Sequence, residues 1–153
     1  MDYIVKKKTR NWMKIQFEAL SENESLARMT VAAFILPLNP TLEEIADVKT
    51  AVSEAVTNAI LHGYEEEKGT VFLRCRMMGD LLEVEVEDQG KGIEDIDLAM
   101  EPMYTTKPDQ DRSGMGFAFM EAFMDELEVS SIPGMGTTVR MKKKLGTESW
   151  LEL

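Results

Sequence analysis

The sequence holds one cysteine, Cys75, and one histidine, His62. A lone cysteine closes no internal disulfide and excludes a cysteine-cluster metal site. With a lone histidine, any Ser-His-Asp triad or histidine-rich centre would rest on His62. No apolar run approaches the roughly 20 residues that span a bilayer. The start, Met1–Lys8, carries lysines with no apolar stretch behind it, so it does not read as a secretory signal. Positive charge is in deficit as well: 17 Lys and Arg against 28 Asp and Glu leave a formal charge of −11. Such a field repels phosphate backbones and argues against nucleic acid as a partner, while basic protein partners remain open. Neither a G-x-x-x-x-G-K-S/T loop nor a G-x-G-x-x-G string occurs. Repeats and low-complexity linkers are missing too.

What is present suits one folded unit. A chain of 153 residues that is 44% apolar and 29% charged can build a single core. We therefore expect one domain over residues 1–153 and a cytoplasmic location. Alternation of Met13, Ile15 and Phe17 with polar residues predicts a strand over Asn11–Phe17. Ser21 and Glu24 have capping-box spacing and open a helix through Leu26, Met29, Ala33 and Phe34, ended by Pro37 and Pro40. Thr41 and Glu44 repeat that signal. The helix they open carries Ile45, Val48, Val52, Ala55, Val56 and Ala59 on one stripe and stops at Gly63.

Strands Thr70–Met78 and Leu81–Glu87 follow, joined at Gly79-Asp80 as a hairpin. From Asp88 to Ser113 periodicity is lost. A third helix is expected over Gly116–Leu127, with Phe119, Met120, Phe123 and Leu127 inward, then a hairpin of Glu128–Ile132 and Thr137–Lys143. This order predicts an α+β two-layer sandwich: a mixed, mostly antiparallel sheet with helices on one face.

Three clusters carry candidate chemistry. Glu54 and Asn58 are four residues apart on the second helix, hence on one side of it. An Asn oxygen is a reasonable hard ligand for Mg²⁺, and a nearby carboxylate can orient or deprotonate a nucleophile. Asp88-Gln-Gly90-Lys-Gly92 follows an apolar strand: a carboxylate there can accept from an exocyclic amine such as adenine N6, and glycines let backbone pass close to a flat ring. Arg112-Ser113-Gly114-Met115-Gly116 heads the third helix, whose N-terminus offers amides and a positive dipole end to phosphate. Each cluster alone has a plainer explanation, as a solvated helix pair, an ordinary turn or a flexible helix entry. The long stretch between Gly92 and Gly114, with Met103-Tyr-Thr-Thr-Lys-Pro108, has the length of a lid. Cys75 reads as a small buried hydrophobe, and most of the twelve methionines as core filling.

The order of these parts is more specific than any one of them. The strings VSEAVTNAILHGY, EDQGKGI, PMYTTKP, RSGMGFAFMEAFMD and PGMGTTVR resemble the gyrase, Hsp90, histidine-kinase and MutL (GHKL) ATPase superfamily. Within it they are similar to the bacterial anti-sigma F factors, sporulation serine kinases, over about Met13 to Lys144. The resemblance implies a Bergerat-type ATP-binding fold, ATP/ADP and Mg²⁺ as cofactors, Mg²⁺ on Asn58 and Glu54 as catalytic base or orienter. It implies that Asp88 reads the adenine amine, with Gly90, Gly92 and Thr137 close to the base. Thr106, Lys107, Arg112, Ser113 and the Gly114-Met115-Gly116 amides would hold phosphates. Arg28, on the first helix, matches an arginine that contacts both the sigma factor and its antagonist. The implied partners are a sporulation sigma factor, an anti-anti-sigma factor phosphorylated on serine, and a second copy of the chain. A nucleotide-gated binding module without phosphotransfer is the alternative. A histidine-kinase role is disfavoured, because the chain has no room for a helical dimerisation segment.

Overall fold

The computed structural model describes residues 9–101 and 115–146. Strand β1 (Thr9–Glu18) leads into helix α1 (Asn23–Ile35) and a 3-10 turn (Leu36–Leu38). Helix α2 (Leu42–Asn58) continues as a π-helical turn, Ala59–Gly63. Strands β2 (Thr70–Met78) and β3 (Leu81–Asp88) follow, then a short helix α3 (Ile96–Ala99), helix α4 (Gly116–Phe123), and strands β4 (Glu126–Ile132) and β5 (Gly136–Lys144). The five strands form one sheet in the order β1-β2-β3-β5-β4, and each pairing is antiparallel. The expected two-layer sandwich is thus present, with no parallel pair among the described strands.

Alternation along the strands makes the inner layer. Leu73, Cys75 and Met77 of β2, Leu82, Val84 and Val86 of β3, and Val139 and Met141 of β5 are buried. Against them pack Val48, Ala51, Val52, Ala55 and Val56 of α2, with Met120 of α4. Each fully buried Leu or Met here contributes about 1.5–3 kcal/mol. The opposite face of the sheet carries alternating charge. Arg76 bonds Glu83 at 2.6 Å, Lys142 approaches Glu83 at 3.9 Å, and Arg140 bonds Glu85 at 2.9 Å. Partial burial alone would raise the Glu85 pKa. The guanidiniums of Arg140 and Arg74 outweigh that and hold it below the ordinary carboxylate value. No described helix is long and apolar enough to cross a membrane.

Two capping boxes were expected and one forms. The Thr41 hydroxyl accepts from Glu44 N–H at 3.0 Å, and the Glu44 carboxylate accepts from Thr41 N–H at 2.8 Å. At α1, by contrast, Glu22 is the cap residue, already helical in backbone, with no side-chain cap. The chain enters through a turn closed by Asn23 N–H to the Leu20 carbonyl (2.8 Å), which leaves Ser21 in the turn rather than over the helix end. The buried stripe of α1 is Ala27, Val31 and Ile35, whereas Leu26 and Met29 stay exposed.

Helix α4 ends at Phe123, short of the expected Leu127. Met124 turns to extended backbone, Asp125 N–H bonds the Lys142 carbonyl, and Leu127 pairs with Met141 in the sheet. Strand pairing here outcompetes a further helical turn. Within α4 only Gly116 and Met120 are fully buried; Phe119 and Phe123 stack on each other, half-buried.

Candidate active site

The layers part around one cavity of about 500 Å³. Its walls come from α2, the π-helical turn, β3, β5, α3 and the head of α4. Ala55, Ala59, Val86 and Val139 give it an apolar floor, with Ile93, Leu98 and Phe117 on the sides. Such an apolar floor suits one face of a planar ring. The polar groups are Asn58 and His62 on the helix side and Asp88 and Thr137 on the sheet side, with Lys91 and the acidic Glu94, Asp95 and Glu101 also in the lining.

Asp88 closes β3 and points into the buried layer, only 6% exposed. Burial pushes its pKa up to about 6, although N–H groups of Gly90 and Thr137 donate to the carboxylate and oppose the rise. The Gly90 bond is 2.9 Å long. A carboxylate so poorly solvated favours a ligand that brings a further donor.

Where α2 ends, its backbone widens. Tyr64 N–H reaches the Ala59 carbonyl at 3.0 Å across a π-helical turn, a distortion often found at functional sites. It brings Gly63 against the Asp88 side chain. A Cβ at Gly63 would lie 2.6 Å from Asp88 Cγ, and a Cβ at Gly90 would lie 2.0 Å from the Gly63 carbonyl oxygen. Glycine is required at both places: Gly90 lies against the Gly63 backbone, and Gly63 lies against the Asp88 carboxylate.

The Asp88–Ile93 loop is tied down on both flanks. Lys91 N–H donates to the Gly63 carbonyl at 2.9 Å, and Gly134 N–H donates to the Lys91 carbonyl at 2.6 Å. Ile93 N–H donates to Ser131 Oγ at 2.7 Å, and Ser131 Oγ lies 2.8 Å from Thr137 Oγ1. Gly92 holds φ at +75°, with the Ile132 carbonyl close against its Cα.

At the other end of the cavity Glu54 and Asn58 meet the head of α4. A Cβ on Gly116 would lie 3.1 Å from Asn58 Oδ1 and 3.2 Å from Glu54 Oε2. The two side chains thus converge on one point. Among the described residues no group of three or more His, Cys, Asp or Glu could hold a metal ion. A divalent cation would rest on the Asn58 oxygen together with oxygens brought by a ligand, the usual manner for Mg²⁺. The residues present fit that mode.

Asn58, Asp88, Gly92, Gly116 and Thr137 all line the cavity. Glu54 and Gly90 adjoin it through the contacts above, and Met115 is the cap residue of α4. Arg28 stands apart on α1, 3.5 Å from Glu24 and 3.2 Å from Ser25 Oγ. Thr106, Lys107, Arg112, Ser113 and Gly114 lie outside the described residues. Gly63, Tyr64 and Ser131 shape the site without having been singled out for it. Gly63 reads in sequence only as a helix stop, and Ser131 carries no local signal at all.

Residues 17–143 match the family model of the histidine kinase-like ATPase domain. The chain is 55% identical over 138 residues to a protein of Thermoanaerobacter sp. (strain X514) named anti-sigma F factor, covering 90% of this chain and 96% of that one. It is 59% identical over 135 residues to the anti-sigma F factor of Clostridium acetobutylicum, covering 88% and 94%. Among solved structures, the RsbU and RsbW domains of Rv1364c from Mycobacterium tuberculosis superpose with a TM-score of 0.63 at 21% identity, over 88% of this chain and 32% of that one. That last likeness is one of fold.

Proposed function

Because the chain belongs to the anti-sigma F factor family and is built on a histidine kinase-like ATPase domain, we propose that it binds and inhibits a sporulation sigma factor and, with ATP, phosphorylates a serine of an anti-anti-sigma factor. The observation that carries the nucleotide part is the buried Asp88 carboxylate at the sheet side of an apolar slot. There it accepts from the adenine amine, which relieves the cost of burying an ion. Ala55, Ala59, Val86 and Val139 cover the ring, with Gly90, Gly92 and Thr137 beside it.

The opposite end then receives the phosphates. Asn58 would hold Mg²⁺, which when bound would neutralise charge on the phosphate oxygens. Glu54 aligns the serine hydroxyl and takes its proton as the bond from serine oxygen to the γ-phosphorus forms and the bond to ADP breaks. Such transfer depends mainly on positioning and charge. The remaining charge comes from Lys107 and Arg112, with Thr106, Ser113 and the Gly114-Met115-Gly116 amides holding the phosphates, as the family resemblance implies.

For partners, α1 offers a surface of the right character. Leu26 and Met29 are half exposed beside Arg28, whose Nε is buried with no hydrogen-bond partner among the described residues. An apolar patch with one cationic group suits a protein ligand and a dimer contact. The test is γ-labelled ATP with Mg²⁺, this protein and an anti-anti-sigma protein. Acid-stable label on a serine of that protein supports the reading. Tight ATP binding with no label shows a nucleotide-gated binding module instead.

A further inference from the structure

Tyr64 sits where the π-helical turn, β2 and the Asp88 loop meet. Its hydroxyl donates to the Thr70 carbonyl at 2.6 Å and accepts from Gln89 N–H at 2.7 Å. Its single proton is committed to Thr70, so the lone pair that faces Gln89 has a fixed direction. Gln89 is the residue next to Asp88 and 25 positions from Tyr64, so this bond spans two elements. The ring lies over Gly69, where a Cβ would come within 2.4 Å of it. Gly69 is thereby the gap that admits the ring, and Ala19 N–H bonds its carbonyl at 2.9 Å, fixing that end to the end of β1. On its other flank the same loop is held by Lys91 N–H to Gly63, one residue before Tyr64.

We propose that Tyr64 is a positioning residue for base recognition: its hydroxyl holds the Gln89 amide and so fixes the Asp88 carboxylate in the direction that meets an exocyclic amine. The inference rests on the reading of the cavity as an adenine site. Asp88 itself has little freedom from other sources. Gly63 blocks it on one side and the N–H groups of Gly90 and Thr137 hold the carboxylate, while the peptide that follows it is anchored through the Tyr64 hydroxyl. Tyr64→Phe removes both hydrogen bonds and keeps the ring on Gly69.

The test compares ATP with purine riboside triphosphate, which lacks the amine, on the full chain and on Tyr64→Phe and Asp88→Asn. The affinity ratio of the two nucleotides isolates the amine contact, as in a double-mutant cycle. Tyr64→Phe is expected to lower the ATP advantage about fivefold, the scale of one lost hydrogen bond, with the unchanged chain retaining it. Thermal denaturation checks that the variant is folded. A variant with lowered thermal stability and an unaltered nucleotide ratio makes Tyr64 a purely structural residue and overturns the proposal, provided Asp88→Asn has lost the advantage. If Asp88→Asn also keeps it, the adenine reading falls, and this inference with it.

Discussion

Glu54 Oε2 and Asn58 Oδ1 converge on the first Cα of α4: a methyl group at Gly116 would stand 3.2 Å from one and 3.1 Å from the other. One turn of α2 separates the two residues, and the helix stripe Ala55, Val56 and Ala59 beside them is buried in the core. The pair is therefore mounted on a rigid element and faces a helix N-terminus, where charge in transit is best stabilised.

Different losses follow from removing each member. Glu54→Gln keeps the shape and removes the proton acceptor, so ATP affinity stays within about twofold while serine phosphorylation falls by roughly 10²–10⁴. Asn58→Ala weakens Mg·ATP binding itself, and free ATP much less. Equilibrium binding and single-turnover transfer, measured side by side, separate the two roles. An unchanged transfer rate in Glu54→Gln removes that residue from the chemistry.

Gly63→Ala tests the backbone contact behind Asp88. The added methyl would come 2.6 Å from Asp88 Cγ, and that side chain is pinned by Gly90 N–H and Thr137 N–H. The carboxylate must move. We expect ATP affinity to drop more than tenfold, with a folding cost of about 1–3 kcal/mol from overpacking. Isothermal titration and urea denaturation give both numbers.

Glu83 provides the opposite case, a stability residue remote from the cavity. Its side chain is 5% exposed between Arg76 and Lys142 on the far face of the sheet. Glu83→Ala removes the carboxylate that Arg76 bonds, while Lys142 keeps Glu126 at 3.8 Å, and costs about 1–2 kcal/mol. Nucleotide affinity is expected to hold, because Glu83 points to the face of the sheet opposite Val84 of the core and Val86 of the slot. A large change in affinity would contradict the division of the sheet into a binding face and a charged face.

Local chemistry is what the sequence displays. Thr41 and Glu44 announce their capping box because both partners lie within one turn. The hairpin at Gly79-Asp80 is equally plain, since Gly79 takes φ +62° in a turn between two alternating strands. The end of α4 was not visible, because Leu127 chooses the sheet only when β5 is beside it. Nor was the inner face of α1. Leu26 and Met29 look like core residues, yet Ala27, Val31 and Ile35 take that place where α1 packs on α2. At the site, the Glu54, Asn58 and Asp88 positions were legible as motifs. The ties that aim them were not: Tyr64 meets Gln89 across 25 positions and Ser131 meets Ile93 across 38.

Asp88 carries the central claim, and its protonation gives the sign of the test. Its folded pKa of about 6 lies above the ordinary 3.8, so the folded chain binds more protons than the unfolded one between those values. Folding stability from this group is full below the lower value and is lost as pH rises through about 6, a penalty of up to about 3 kcal/mol at neutral pH. Asp88→Asn removes that penalty. The amide matches the Gly90 and Thr137 donors less well, which returns about 1 kcal/mol. The most direct measurement is therefore paired: ATP affinity and nucleotide-free stability of Asp88→Asn against the unchanged chain at pH 7.5. The account predicts that ATP affinity falls at least tenfold while stability without nucleotide rises by about 1–2 kcal/mol, the gain vanishing below about pH 4. A variant that loses stability and still binds ATP as tightly would make Asp88 a structural carboxylate and contradict the adenine site.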